Sequence, residues 1–167
     1  MAQSATEDML SLALVIAGIP LTGYAGGGAI RFVSTQPAFT MRVGVGGLGS
    51  YTRMLDDSGT LSTDLLPTSD GNDVLTAFFN YQKSRANGAV YAVSLIDTTG
   101  RFSLITGAGV IAKAPDITFG DGSGVNTWDI LGVKWSQVTG GRGATPVITN
   151  AAQVPDLADI PGIRNAA

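Results

Sequence analysis

The chain contains no cysteine and no histidine. Without cysteine there is no disulfide, no thiolate zinc site and no catalytic thiol. Without histidine the commonest general base and the commonest metal ligand are missing, and a Ser-His-Asp nucleophile is impossible. Charge is scarce as well. Charged residues make up 14%, against about a quarter in an average soluble domain. A lone domain relies on surface charge to stay dispersed, so much of this surface is expected to face other protein. The ten Lys and Arg are scattered and the net charge is −3, which argues against tight binding of nucleic acid through its phosphates. Long apolar runs are missing too. "MLSLALVIAGI" is too short to span a bilayer and lacks the cationic flank of a signal peptide: Glu7 and Asp8 precede it, and the first cation is Arg31. Synthesis in the cytoplasm is the expectation.

What is present is enough for one folded domain: 167 residues, 44% of them hydrophobic. Leu10, Leu12, Leu14 and Ile16 alternate with smaller residues as in a strand, and Ile30 to Val33 begin a second. Phe39, Met41, Val43 and Val45 share one face of a third, with Thr40 and Arg42 opposite; apolar-in, polar-out patterning predicts that this face is buried. After a glycine-rich loop, "SYTRML" alternates again, "DDSG" signals a tight turn, and Leu61, Thr63 and Leu65 line the next strand, so residues 39–66 read as a meander. A helix is predicted over about 70–83, with Ser69 as N-cap, Asp70 and Asp73 in the first turn, and an apolar stripe of Val74, Leu75, Phe78 and Phe79. Tyr91, Val93 and Leu95, then "DTTG", then Phe102 and Leu104 read as a hairpin. "GAGVIAKAP" is a strand ending before Pro115. The last strand, about Thr127 to Val138, changes phase midway, because Trp128 and Ile130 share one parity while Val133 and Trp135 share the other. A bulge at Gly132 would reconcile the halves. From residue 140 the chain reads as an extended tail, so a β domain over 1–139 and a tail over 140–167 are expected.

Few motifs suggest chemistry. "GVGGLGS" places Gly44, Gly46 and Gly49 at the G-x-G-x-x-G spacing of a dinucleotide loop, with Asp70 near the expected acidic position. That loop holds phosphate only when a helix follows, whereas Tyr51 to Leu66 has strand period. Its glycines read instead as a long, flexible connection between antiparallel strands. "DGSGVNTWD" supplies Asp121, Ser123, Asn126 and Asp129, but without the acidic spacing of a calcium loop. Phe78, Phe79, Trp128 and Trp135 read as packing residues, and nothing marks Lys83, Lys113 or Lys134 as a buried base. No cofactor is expected, and a small enzyme or ligand-binding β domain is the poorer alternative.

The order of elements is more specific. "GIPLTGYAGGGAIRF", "VGVGGLGSYTRMLDDSGTLSTDLLPTSDGNDVL", "SLIDTTGRFSLITGAGVIAKAPDITFG" and "NTWDILG" follow one another. Over roughly residues 10–138 the chain resembles the tail tube proteins of contractile-tailed bacteriophages, a group that extends to Hcp-like tube proteins. It departs from them at Asp70, where a proline is frequent, and at Gly46 and Gly47, where an acidic residue is frequent. The resemblance implies a mainly β fold, an antiparallel sandwich or barrel with one flanking helix. It implies a non-enzymatic structural subunit of the virion tail, assembled in the host cytoplasm into hexameric rings stacked as a tube. The partners it implies are further copies of the chain, a tail sheath protein, tape measure and baseplate or initiator proteins, and DNA that passes through the lumen without specific binding. The alternative is a terminator-like ring protein, or the inner-tube protein of a related injection machine. Gly44, Gly46, Gly47, Leu48, Gly49 and Arg142 are expected to touch neighbouring subunits, as are residues 1–9 and the tail.

Overall fold

Period-two hydrophobicity becomes period-two burial wherever a strand has its inner face covered. In β6 below, Gly59, Leu61, Thr63 and Leu65 are buried and the residues between them are not. The computed structural model describes residues 12–26, 29–98, 102–116 and 124–139, with short backbone segments at 147–148 and 164–165. The elements are β1 (Leu12–Ile16), β2 (Ile19–Pro20), β3 (Ile30–Ser34), β4 (Phe39–Val43), β5 (Gly49–Arg53), β6 (Gly59–Leu65), α1 (Gly71–Ser84), β7 (Tyr91–Asp97), β8 (Phe102–Lys113), β9 (Asn126–Gly132), β10 (Ser136–Thr139), β11 (Val147–Ile148) and β12 (Arg164–Asn165). The fold is mainly β. One antiparallel sheet runs β2-β1-β7-β8-β9-β6-β3, with β10 beside β8. β4 and β5 form a separate pair, and β11 lies parallel to β12. Residues 1–11 and most of the expected tail lie outside the described residues.

The large sheet is curled. In a flat sheet β1 and β6 would lie four strand spacings apart, about 19 Å. Yet the Leu21 amide donates to the Leu14 carbonyl on β1, and the Ala25 amide donates to the Asp64 carbonyl on β6. The stretch from Leu21 to Ala25 reaches at most about 14 Å, and it attaches to the outer edge of each strand. Only a curled sheet satisfies both bonds. The core fills the concave side: Leu14, Ile16, Leu61, Leu65, Leu75, Leu104, Ile111, Trp128 and Ile130 are almost completely buried there.

The helix lies where expected, shifted by one residue. Asp70 occupies the cap position and makes no side-chain cap bond. Ser69 still serves the helix start, because its hydroxyl accepts the Gly71 amide and donates to the Thr22 carbonyl. Of the apolar stripe, Leu75 is fully buried while Val74, Phe78 and Phe79 are half-buried against the core. Two side chains of α1 fasten it to the sheet. Asn72 accepts the indole N–H of Trp128 at 3.1 Å. The Gln82 amide both donates to and accepts from the Ile111 backbone, at 3.2 and 3.1 Å. β7 ends short of this point, so Gln82 replaces the missing ladder partner of β8.

Two expectations need correction. Residues 39–66 are not a meander: β5 does not pair with β6, whose neighbours are β3 and β9. The "DDSG" stretch links two segments of one long strand path, with Asp56 accepting the Ser58 amide at 3.0 Å. The last strand is also two strands. β9 and β10 keep one continuous register along β8, and Val133 to Trp135 depart between them. The phase change is shared with β8, where burial moves from Leu104 and Thr106 to Gly109 and Ile111, and where the register with β7 shifts. Trp135 turns inward at the break and donates to the Gly59 carbonyl at 3.0 Å. Gly132 is required there, since a Cβ on it would stand 2.4 Å from the Trp135 indole nitrogen.

Gly132→Ala should therefore lower unfolding stability by about 1–3 kcal/mol, as overpacking does. Gly107→Ala, where a Cβ meets nothing within 4 Å, should cost less than about 0.5 kcal/mol; urea denaturation compares the two. A second expectation concerns alkali. Burial, and then the nearby Tyr81, raise the phenol of Tyr91 above its usual value, and burial raises Tyr24. The unfolded chain therefore releases these protons first as pH rises through 10, so the stability they contribute, full below that pH, falls as pH climbs towards the folded values. Tyr91→Phe should flatten that loss in denaturation series above pH 9.

Candidate subunit interface

Beyond Ser34 the β3–β6 pairing does not end; it becomes an arm. The Thr35 amide donates to the Ser58 carbonyl and the Met54 amide to that of Ala38. The register shifts by one residue between Ser34↔Gly59 and Phe39↔Arg53, and β4–β5 then continues outward. Opposed residues share a face. One face of the arm therefore carries Phe39 with Arg53, Met41 with Tyr51, and Val43 with Gly49. The other carries Thr40 with Thr52 and Arg42 with Ser50.

The apolar face was expected to be buried, and it is not. Phe39, Met41 and Val43 are 62%, 60% and 60% exposed, Tyr51 is 75% exposed, and every residue of both strands is exposed. The alternation was read correctly, but period two shows only that a strand has an apolar side. It does not show that this chain covers it. An isolated two-stranded hairpin is marginal in water, and covering one such large side chain is worth about 1.5–3 kcal/mol. The arm is thus an unsatisfied hydrophobic element.

Its tip is tighter than the flexible connection the glycines suggested. The Gly47 amide donates to the Gly44 carbonyl, and the Gly44 amide to that of Leu48, both at 2.9 Å. Gly47 has φ +80°, which glycine alone adopts freely. A tight turn followed by a left-handed residue is a standard three-residue hairpin loop. Gly49 opens a strand rather than a helix, so the loop lacks the helix N-terminus that a phosphate cradle needs. The structure gathers Gly44, Gly46, Gly47, Leu48 and Gly49 at this tip, where Val45 and Leu48 are fully solvent-facing. Arg142 and residues 1–9 lie outside the described residues. Phe39, Met41 and Val43, which sequence reasoning assigned to a buried face, are exposed beside the tip together with Tyr51.

Charge is segregated along the chain. From Ala29 to Leu55 there are three arginines, Arg31, Arg42 and Arg53, and no Asp or Glu. All 13 carboxylates lie elsewhere in the sequence. The other polar groups singled out earlier have structural duties. Asp129 accepts the Ser62 hydroxyl at 2.6 Å, Lys113 pairs with Asp116 at 2.7 Å, and Lys83 sits over the Phe79 ring. Asn126 and Asp129 both stand on β9, whereas Asp121 and Ser123 lie outside the described residues. Among the described residues no group of three His, Cys, Asp or Glu side chains could hold a metal ion, and no helix is long and apolar enough to cross a membrane. What these residues present together is the exposed apolar face of the β4–β5 arm.

No protein-family model matches the chain, and no curated protein sequence does. Its likeness to solved structures lies in the fold. One is a cryo-EM structure of the anti-feeding prophage cap, the tube-terminating cap, with 8% identity and a TM-score of 0.55 over 83% of this chain and 95% of that one. Another comes from the sheath/tube terminator of an extracellular contractile injection system, PVC, in the extended state. It has 8% identity and a TM-score of 0.48, over 81% of this chain and 99% of that one.

If the arm is an uncovered surface of the folded body, Phe39→Ser with Met41→Ser should leave the unfolding midpoint of the body almost unchanged. Self-association should weaken, read by light scattering across a concentration series.

Proposed function

We propose that the protein is a non-enzymatic ring subunit of a contractile tail or injection machine, acting in the terminating ring of its tube. The observation that carries the proposal is the exposed, acid-free β4–β5 arm on a charge-poor β body. Such a chain is incomplete alone and becomes complete in an assembly of copies. The shared fold with the anti-feeding prophage cap supports a place at the tube's end. On this reading the subunits are arranged six to a ring, and their partners are the tube and sheath components beneath. Gly44, Gly46, Gly47, Leu48 and Gly49 make subunit contacts.

A second reading, a repeating inner-tube subunit with a lumen that conducts DNA, is favoured by the order of motifs from "GIPLTGYAGGGAIRF" to "NTWDILG". A heterologous interface closes into rings if its rotation closes, and the two readings differ in whether rings also stack without limit. Negative-stain electron microscopy of concentrated purified protein separates them. Discrete six-fold rings are expected for a terminator, and long stacked tubes would transfer the assignment to the inner tube. A monodisperse monomer at all concentrations, in the presence of tube and sheath proteins as well, would overturn both.

A further inference from the structure

Among the described residues the convex face of the large sheet is exposed as well as the arm. Cross-strand register places Val33, Thr60, Leu131 and Val110 side by side across β3, β6, β9 and β8. Further along, Val15, Ser94, Ile105 and Ser136 lie side by side across β1, β7, β8 and β10. Their strand neighbours, such as Leu14, Leu61, Leu104 and Ile130, fill the core, so these two rows point outward. Val33, Ile105 and Leu131 are each about half exposed. Neither row contains a charged side chain; the next row on the same face, Arg31, Ser62 and Asp129, borders the first with charge.

We infer that the apolar side of the β4–β5 arm of one copy docks on the apolar rows of this convex sheet face of a second copy. The inference deepens the ring proposal and rests on it for the repeat of the contact around a ring. Three observations select a second copy as the occupant. The arm is long enough: Phe39 to Val43 spans about 14 Å at strand rise, comparable to the stretch of β8 from Ile105 to Val110. Pairing of arm with arm is opposed, since each carries Arg42 and Arg53 and no acid. The carboxylates all lie outside the arm, so the arm of one copy is drawn to the body of another. Each copy then gives one arm and receives one, which is a heterologous contact able to close.

The absence of native cysteine makes the test clean. Met41→Cys on the arm is mixed, as a separately purified variant, with Ile105→Cys or Leu131→Cys on the sheet face, and the mixture is oxidised mildly. The control partner is Thr76→Cys on the exposed side of α1. Docking raises the local thiol concentration, so the mixed disulfide should exceed the control by at least about tenfold, and Phe39→Ser in the arm variant should reduce it. Yields equal to the control would overturn the inference. Six-fold rings without the cross-link would overturn arm docking while leaving the ring proposal standing. The cross-link without rings would do the reverse.

Discussion

The crossing from Leu21 to Ala25 holds the body together. Its first amide is bonded to β1 and its last to β6, so it joins the two ends of a sheet that would otherwise lie open. The helix is tied to the same crossing: Ser69 bonds Thr22, the Leu66 amide bonds the Gly23 carbonyl, and Asn72 bonds the Leu66 carbonyl on one side and the Trp128 indole on the other. These bonds fix where α1 begins and therefore where Leu75 enters the core. Backbone groups at a sheet's end normally rely on water or on a further strand. Here one short connection satisfies the Leu14 carbonyl at one end and the Asp64 carbonyl and Leu66 amide at the other.

Beyond that closure the ladder grows on through β3 and β6. The arm continues them. Hydrogen bonding inside the arm runs along its own ladder, but among the described residues nothing covers its apolar side. The same polypeptide thus contains a body whose apolar side chains fill a common core, and a projection whose ladder is paired and whose apolar side chains are exposed. The proposed assembly of copies rests on that separation.

Most of the body was legible from local signals. The β7–β8 hairpin, the strand of Leu61, Thr63 and Leu65, and the helix stripe all follow from periodicity, because in each case the apolar side meets the interior of the same chain. The phase change around Gly132 was visible as well, though its resolution was not. It needs Trp135 to fold inward and β8 to shift in step, which are non-local facts. The arm was misread for a related reason. Phe39, Met41 and Val43 have the pattern of a core strand, and pattern does not say which molecule provides the cover. The charge count held the missing clue. A stretch from Ala29 to Leu55 with arginines and no acid is unusual for a buried edge of a compact domain, and the proposed contact with another copy draws on it. The tip was placed correctly as a connection between strands, yet Gly44 and Gly47 make it a closed turn rather than a long loop.

The arm's bonding also divides the molecule into units of unequal persistence. The body's amides are locked by contacts far apart in sequence, from Leu14 against β7 to Trp128 against the helix. The amides of β4 and β5 are locked by neighbours a few residues away, and the side chains around them are in solvent. Such a segment opens without the rest and exchanges its amide hydrogens by local fluctuation. In the proposed docking the arm is ordered as well as covered, and each arm meets the entropy of that ordering at its own contact.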